Sequence, residues 1–255
     1  MCRMIAKVSP GPSSILDEML LCPVSLKYLS KNGRQLLDAS KRGEHNDGCG
    51  MAFLHDGRIE IHKRDQASSW DESYQALIRE ARSSFFIAHN RRASQGLNAS
   101  IDGAHPFYHE QDDTPFAFSH NGTVFSYHEE AKAAGTSDSK IFLQHIIDEK
   151  ARYPQKSTES IVTAIAREKS YDSLCAFLLS PQKLQAWRIY QDSDPETVNL
   201  YEPYYTLYLS LRNGNAIISS EPLDDGNWQL LPNKSFLTLQ TTDGKLQIDY
   251  TQLAV

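Results

Sequence analysis

Residues 116–122, Phe116-Ala117-Phe118-Ser119-His120-Asn121-Gly122, run from a short apolar segment straight into a polar cluster. Residues 85–91, Phe85-Phe86-Ile87-Ala88-His89-Asn90-Arg91, repeat the design. A short apolar run bounded by polar residues reads as a buried central strand. Binding and catalytic groups concentrate on loops held by such strands. The two runs therefore set an expectation for the fold and point to where its chemistry should lie.

Outward from these strands, most of the chain reads as antiparallel hairpins. Gly50 to Leu54 and Arg58 to Lys63 flank Asp56-Gly57, and Ser173 to Leu179 and Leu184 to Tyr190 flank Pro181-Gln182. Tyr205 to Leu211 and Asn215 to Ser219 flank Asn213-Gly214, and Ser235 to Gln240 and Lys245 to Tyr250 flank Asp243-Gly244. Asp-Gly and Asn-Gly favour turns whose twist matches paired strands, because these residues tolerate positive φ. Helical spacing occurs over 69–82, where Tyr74, Leu77, Ile78 and Ala81 share a face behind a Ser69/Glu72 capping box. It recurs over 139–152 and 158–169. Many antiparallel strands with a few helices predict an α+β fold in which helices flank packed sheets.

The chain has 255 residues with 26 Lys+Arg against 32 Asp+Glu, a net charge of −6. Its 40% apolar and 10% aromatic content is enough for a sizeable core. Repeats, low-complexity tracts and a linker long enough to separate domains are missing, so one domain over 2–255 is expected. The acidic balance lacks the Lys/Arg runs that nucleic acid or an anionic membrane would require. No apolar stretch approaches the ~20 residues of a membrane span, and the N-terminus lacks signal-peptide order, which gives a cytoplasmic expectation. Four cysteines, Cys2, Cys22, Cys49 and Cys175, form no CxxC pair and read as free thiols. Cys2 stands apart by position. A small residue after Met1 favours removal of the initiator, which leaves Cys2 with both a thiol and a free α-amine.

Polar clusters fall at the strand ends in a fixed order. They comprise Met1-Cys2-Arg3, His45-Asn46-Asp47-Gly48-Cys49-Gly50, Ala88-His89-Asn90-Arg91, His105-Pro106, His120-Asn121-Gly122, Ser137-Asp138-Ser139 and Ser219-Ser220-Glu221-Pro222-Leu223, with Trp228 beyond. In this order the chain resembles a class II glutamine amidotransferase, a domain of the N-terminal-nucleophile hydrolase superfamily. Within that class it resembles the stand-alone members, including YafJ-like proteins and γ-glutamyl hydrolases of ergothioneine synthesis. The resemblance implies a four-layer αββα sandwich of two mainly antiparallel sheets.

It also implies a division of labour. Cys2 is the nucleophile, and its own α-amine, titrating near ~8, is the base. Asn121, through its side-chain amide, and Gly122, through its backbone N–H, are the donors for the tetrahedral oxyanion. Arg91 pairs the α-carboxylate of glutamine through a guanidinium fork, and Arg92 beside it is expected to face solvent. Asp138 takes the α-ammonium, while Lys140 stands where the family commonly has Glu. Ser94 and His105 align with substrate-loop positions, and Asp47-Gly48 with Gly50 reads as a structural turn near the nucleophile. The pairs His45/Cys49 and His105/His109 lack a third and fourth ligand at recognisable spacing, so neither metal nor cofactor is expected.

Two functional readings follow. In the first, Cys2 attacks the δ-carboxamide of glutamine or a γ-glutamyl amide, releases ammonia or an amine, and water hydrolyses the thioester. Any ammonia acceptor would then lie on a separate synthase subunit or on this domain's surface. In the second, the chain is a catalytically silent glutamine-sensing subunit. Residues 186–206, with Trp187, Tyr190, Tyr201, Tyr204 and Tyr205, either shape a pocket or pack as core. The sequence leaves oligomeric state open.

Overall fold

The computed structural model describes residues 2–66, 69–93 and 100–255. In chain order the elements are β1 (Arg3–Ser13), α1 (Leu26–Asn32), β2 (Gly33–Arg34), β3 (Arg42–Gly43), β4 (Cys49–His55), β5 (Arg58–Arg64), α2 (Glu72–Glu80) and β6 (Ser83–Asn90). There follow β7 (Phe107–Gln111), β8 (Thr114–Asn121), α3 (His128–Ala133), α4 (Asp138–Arg152), α5 (Thr158–Glu168), β9 (Cys175–Ser180) and β10 (Lys183–Arg188). The chain continues through α6 (Pro195–Tyr201), β11 (Tyr208–Arg212), β12 (Asn215–Ser219), β13 (Gln229–Leu230), β14 (Ser235–Thr242) and β15 (Lys245–Gln252).

Two large antiparallel sheets organise these elements. A seven-stranded sheet has the order β13-β11-β12-β1-β6-β4-β5, and a six-stranded sheet has the order β15-β14-β10-β9-β8-β7. Alternation within each strand decides what lies between them. Met4, Ala6 and Val8 of β1 and Phe85 and Ile87 of β6 meet Ala117, Phe177, Leu179, Leu184, Leu237 and Leu239 of the other sheet. The opposite face of the seven-stranded sheet, with Ile5, Met51, Phe53 and Phe86, packs on Leu26, Leu29, Tyr74 and Ile78 of α1 and α2. The opposite face of the six-stranded sheet, with Phe118, Ala176, Leu178, Trp187 and Phe236, packs on Phe142, Ile146, Ile161 and Ile165 of α4 and α5. The result is the expected αββα layering.

The four sequence-expected hairpins form, and three turn as the dipeptides dictate. Asp56 and Gly57 have φ of 48° and 75°, Asn213 and Gly214 52° and 76°, and Asp243 and Gly244 51° and 68°. The helix expected from residue 69 instead begins at Glu72. Asp71 is its N-cap and accepts from the Tyr74 N–H at 2.7 Å, whereas the Ser69 hydroxyl donates to the Asp65 carbonyl. β1 has no counterpart in the sequence reading. Lys7 interrupts its apolar pattern but is buried, with Nζ 2.9 Å from Glu18 Oε1 and 2.6 Å from the Ser14 carbonyl. α1, α3 and α6, of six or seven residues each, are likewise too short to carry a readable period. No described helix is long and apolar enough to cross a membrane.

Phe177 is fully buried between the sheets, whereas Leu37 is 86% exposed. Phe177→Ala is expected to cost about 3–5 kcal/mol of unfolding free energy, and Leu37→Ala to change it by less than about 0.5 kcal/mol. Urea denaturation of both variants checks this.

Candidate active site

β1 lies between β6 and β12, and its register pairs Arg3 with Asn90 and Ile5 with both Ala88 and Ser219. Cys2 therefore emerges at the same sheet end as Arg91. The Cys2 side chain is nearly buried, and its Sγ lies 3.9 Å from the Arg92 carbonyl oxygen. The Cys2 nitrogen donates to Asn121 Oδ1 at 2.9 Å, bridging from the first sheet to the end of β8 in the second. With its carbonyl oxygen committed to Cys2, the Asn121 side chain has its NH₂ as the donor half.

A buried ion pair anchors this corner. Arg3 Nε lies 2.9 Å from Glu221 Oε1, with both side chains almost completely shielded from water. The Arg3 guanidinium also donates to the Cys2 carbonyl at 2.9 Å and the Arg34 carbonyl at 2.6 Å, and it sits 4.4 Å above the Tyr204 ring. Glu221 also meets Arg34 Nε at 3.5 Å, accepts from the Arg34 N–H at 2.9 Å and pairs with Arg42. The short hairpin β2/β3 thus closes over the anchor.

The turn after Asn121 is held from below. Gly122 has φ of 154°, and a Cβ built there would stand 2.0 Å from the Ser173 carbonyl oxygen, so only glycine fits. The next two amides go to carboxylates: Thr123 N–H to Asp172 Oδ1 at 2.6 Å and Val124 N–H to Asp138 Oδ2 at 2.7 Å. Ser137 is the N-cap of α4, and Asp138 occupies its first turn. Beneath Asn121, His120 Nε2 is 3.0 Å from the Ser173 carbonyl, which makes it the protonated nitrogen, so Nδ1 accepts from the Ser139 hydroxyl at 2.9 Å. Burial holds the His120 pKa down, against the opposing field of Asp138.

Arg91 is buried, and its backbone exchanges hydrogen bonds with the Asp47-Gly48 turn, at 2.9 Å to the Asp47 N–H and 2.8 Å to the Gly48 carbonyl. Asp47 Oδ2 also accepts the Ala93 N–H at 2.8 Å, so this turn fixes the strand end that carries Arg91. The guanidinium lies against Gly103, where a Cβ would come within 2.9 Å of it. Arg91, Ser100, Asp102, Gly135, Ser137 and Lys140 line a cavity of about 170 Å³. Lys140 and Lys63 lie over the Phe107 ring, at 5.3 and 5.6 Å from its centroid. Arg92, by contrast, is exposed.

Cys2, Arg91, Asn121, Gly122 and Asp138 thus meet at one end of the two sheets. His105 is near them but in the core, its ring 4.2 Å from both the His89 and Phe107 rings. Neither of its ring nitrogens has a hydrogen-bond partner among the described residues. Burial first, and then the neighbouring His89, depress its pKa well below the usual histidine value, so it is neutral. Ser94 lies outside the described residues. Within residues 186–206 the aromatic side chains Trp187, Tyr190, Tyr204 and Tyr205 pack as core, Trp187 stacking on Phe236 at 5.5 Å, while residues 192–196 are exposed and Tyr201 is half-buried. The sequence reading assigned no role to Arg3, Glu221 or Asp172. Arg3 and Glu221 stood inside quoted motifs, which was the available signal; Asp172 stood in none.

A family model for class II glutamine amidotransferases matches residues 32–252. The chain belongs to that family. It is 22% identical over 225 residues to an uncharacterized protein of Methanocaldococcus jannaschii, covering 77% of this chain and 62% of the relative. Among solved structures, it superposes on the glutamine phosphoribosylpyrophosphate amidotransferase from B. subtilis with a TM-score of 0.64 at 11% identity, over 97% of this chain and 49% of that one. A glutamine aminotransferase class-II domain protein from Silicibacter pomeroyi gives a TM-score of 0.60 at 17% identity, with both chains fully covered. The chain therefore spans under two thirds of the curated relative and about half of the B. subtilis enzyme, while matching the S. pomeroyi protein end to end. At these identities the superpositions establish the fold.

Glu221→Gln leaves Arg3 buried without its counter-charge and should cost about 3–5 kcal/mol of stability. Denaturant unfolding measures it; a loss below about 1 kcal/mol would contradict the anchoring role.

Proposed function

We propose that the protein is a glutamine amidotransferase-type amidohydrolase whose nucleophile is Cys2 in a chain freed of Met1. The observation that carries this reading is the hydrogen bond from the Cys2 nitrogen to Asn121 Oδ1, at 2.9 Å. It supports the reading because a Cys2 thiol, the amine attached to it and the Asn121-Gly122 pair are then neighbours. In the mature chain that nitrogen is an α-amine, which titrates near ~8 and accepts the thiol proton directly or through one water. The thiolate then attacks the δ-carbon of a γ-glutamyl amide, and charge gathers on the former carbonyl oxygen. Asn121 Nδ2 and the Gly122 N–H are the donors in reach of it. Collapse of the intermediate breaks the C–N bond, the amine proton passes to the leaving nitrogen, and a γ-glutamyl thioester remains. Water, activated by the same amine, hydrolyses the thioester to glutamate and restores the thiol.

Arg91 holds the substrate α-carboxylate in this reading, and Asp138 meets the α-ammonium with the oxygen edge not engaged by Val124. His105 acts on the site by packing behind the Arg91 loop; Ser94 keeps its assignment to the substrate loop. In this reading the amidohydrolase domain occupies 2–255, and an ammonia acceptor, where one exists, lies on a separate synthase subunit or on this domain's surface. A silent glutamine-sensing role receives no support from the site, because each group the reaction uses is present.

The trimmed protein is expected to release glutamate from glutamine or a γ-glutamyl amide, and Cys2→Ala to release none, with intact mass reporting loss of Met1. Turnover by Cys2→Ala, or none by a trimmed wild type across free glutamine, γ-glutamyl amides, peptides and polyamines, would sink the proposal. Arg91→Lys keeps the charge but loses the two-pronged fork, so KM should rise about 10- to 100-fold with a smaller change in kcat.

A further inference from the structure

The link between α5 and β9 lies under the Asn121-Gly122 turn and touches it at every residue from 121 to 123. Asn121 pairs with Cys175, Gly122 is wedged against the Ser173 backbone, and Thr123 exchanges two hydrogen bonds with Asp172. In that exchange the Thr123 N–H donates to Asp172 Oδ1 at 2.6 Å, and the Asp172 N–H donates to the Thr123 carbonyl at 3.0 Å. The Asp172 side chain is 6% exposed, and the Tyr205 hydroxyl hydrogen-bonds the same carboxylate. On its far side the Asp172 carbonyl accepts the Gln191 N–H at 3.0 Å, tying the link to the residues after β10.

A carboxylate buried this deeply is costly unless its oxygens are filled by donors. Here the donors are the backbone and hydroxyl of Thr123 in the proposed oxyanion turn, the Ser173 N–H, and the Tyr205 hydroxyl held in the inter-sheet core. Fixing the Thr123 N–H sets the peptide plane that leaves Gly122, while strand pairing at Asn121 sets the plane that enters it. A glycine at positive φ has no side chain to hold its orientation, so the two flanking planes decide where the Gly122 N–H points.

We infer that Asp172, braced by Tyr205, is a positioning residue that presets the Gly122 N–H for the oxyanion. This inference rests on the proposed amidohydrolase reading. Asp172 acts through Thr123 and is assigned no contact with substrate. Burial raises its pKa to about 6, and the titratable groups facing it are Tyr205, Tyr201 and Cys175. Above about pH 6 the carboxylate accepts from Thr123. Below that it gains a proton and keeps one carbonyl oxygen that can accept from Thr123.

The test uses the full chain with Asp172→Ala, Asp172→Asn and Tyr205→Phe. Loss of one oxyanion donor typically costs ~10²–10³ in kcat. Asp172→Ala should therefore lower kcat about 10- to 100-fold with KM unchanged, and Asp172→Asn, whose amide oxygen still accepts from Thr123, should recover most of the loss. Tyr205→Phe should fall between. Hydrogen exchange at the Thr123 amide, read by NMR, provides a second and independent measurement. It should accelerate in Asp172→Ala and not in Asp172→Asn, and this holds whether or not the wild type turns over. An unchanged Thr123 exchange rate, or a kcat loss that Asp172→Asn does not recover, overturns the inference. A wild type without turnover whose Thr123 exchange still responds to Asp172 overturns the proposed function while leaving the support of the turn intact.

Discussion

The hydrogen bond between the Cys2 nitrogen and Asn121 Oδ1 joins the first residues of one sheet to the last residue of a strand in the other. A proposed nucleophile at a chain end raises a physical difficulty, because termini fray unless tied down. Here the chain enters directly into β1, with β6 on one side and β12 on the other. The buried Arg3–Glu221 pair then fixes the residue after the nucleophile, and Arg3 reaches back to hold the Cys2 carbonyl. Cys2 is consequently tied to both sheets while its nitrogen stays at a strand end.

The inter-sheet core explains why the remaining groups arrive at the same place. Strands β6 and β8 face each other across a layer of Met4, Ile87, Ala117 and Phe177 and end at the same edge, with Arg91 just beyond one and Asn121 closing the other. Short segments support each group from behind: the Asp47-Gly48 turn behind Arg91, and the Asp172-Ser173 link behind Gly122. The first turn of α4 adds Asp138 from the side. The carboxylates here, half-buried Asp138 and buried Asp172 and Glu221, are paired with backbone donors or a counter-ion, as low local dielectric demands.

Much of this organisation could be read in the sequence because local chemistry carries it. Asp56-Gly57, Asn213-Gly214 and Asp243-Gly244 announce their turns through the φ values they permit, and the apolar runs at 85–88 and 116–119 announce β6 and β8. The residues that gather around Cys2 were legible as short clusters in family order. What escaped is non-local. β1 hides behind Lys7, whose burial is made tolerable by Glu18, and no periodicity reports a salt bridge. Asp71 rather than Ser69 caps α2, directly after Trp70 at φ of 64°, a backbone state that the capping-box spacing does not report. Arg3 and Glu221, and Asp172 and Thr123, are partners far apart in sequence, so their pairing exists only once the sheets are stacked. His105 was legible as a residue near the site, but its neutral packing against His89 and Phe107 depends on burial that no motif encodes.

The proposed reaction requires Cys2 to be the reactive thiol of a chain freed of Met1. Its most direct measurement is labelling with a glutamine analogue in which an electrophilic diazoketone replaces the carboxamide, followed by peptide mass spectrometry. The account predicts one adduct per chain, on the N-terminal peptide beginning at Cys2, suppressed by the substrate that the protein turns over. An adduct on Cys22, Cys49 or Cys175, or an unlabelled Cys2 in a chain that has lost Met1, would contradict it.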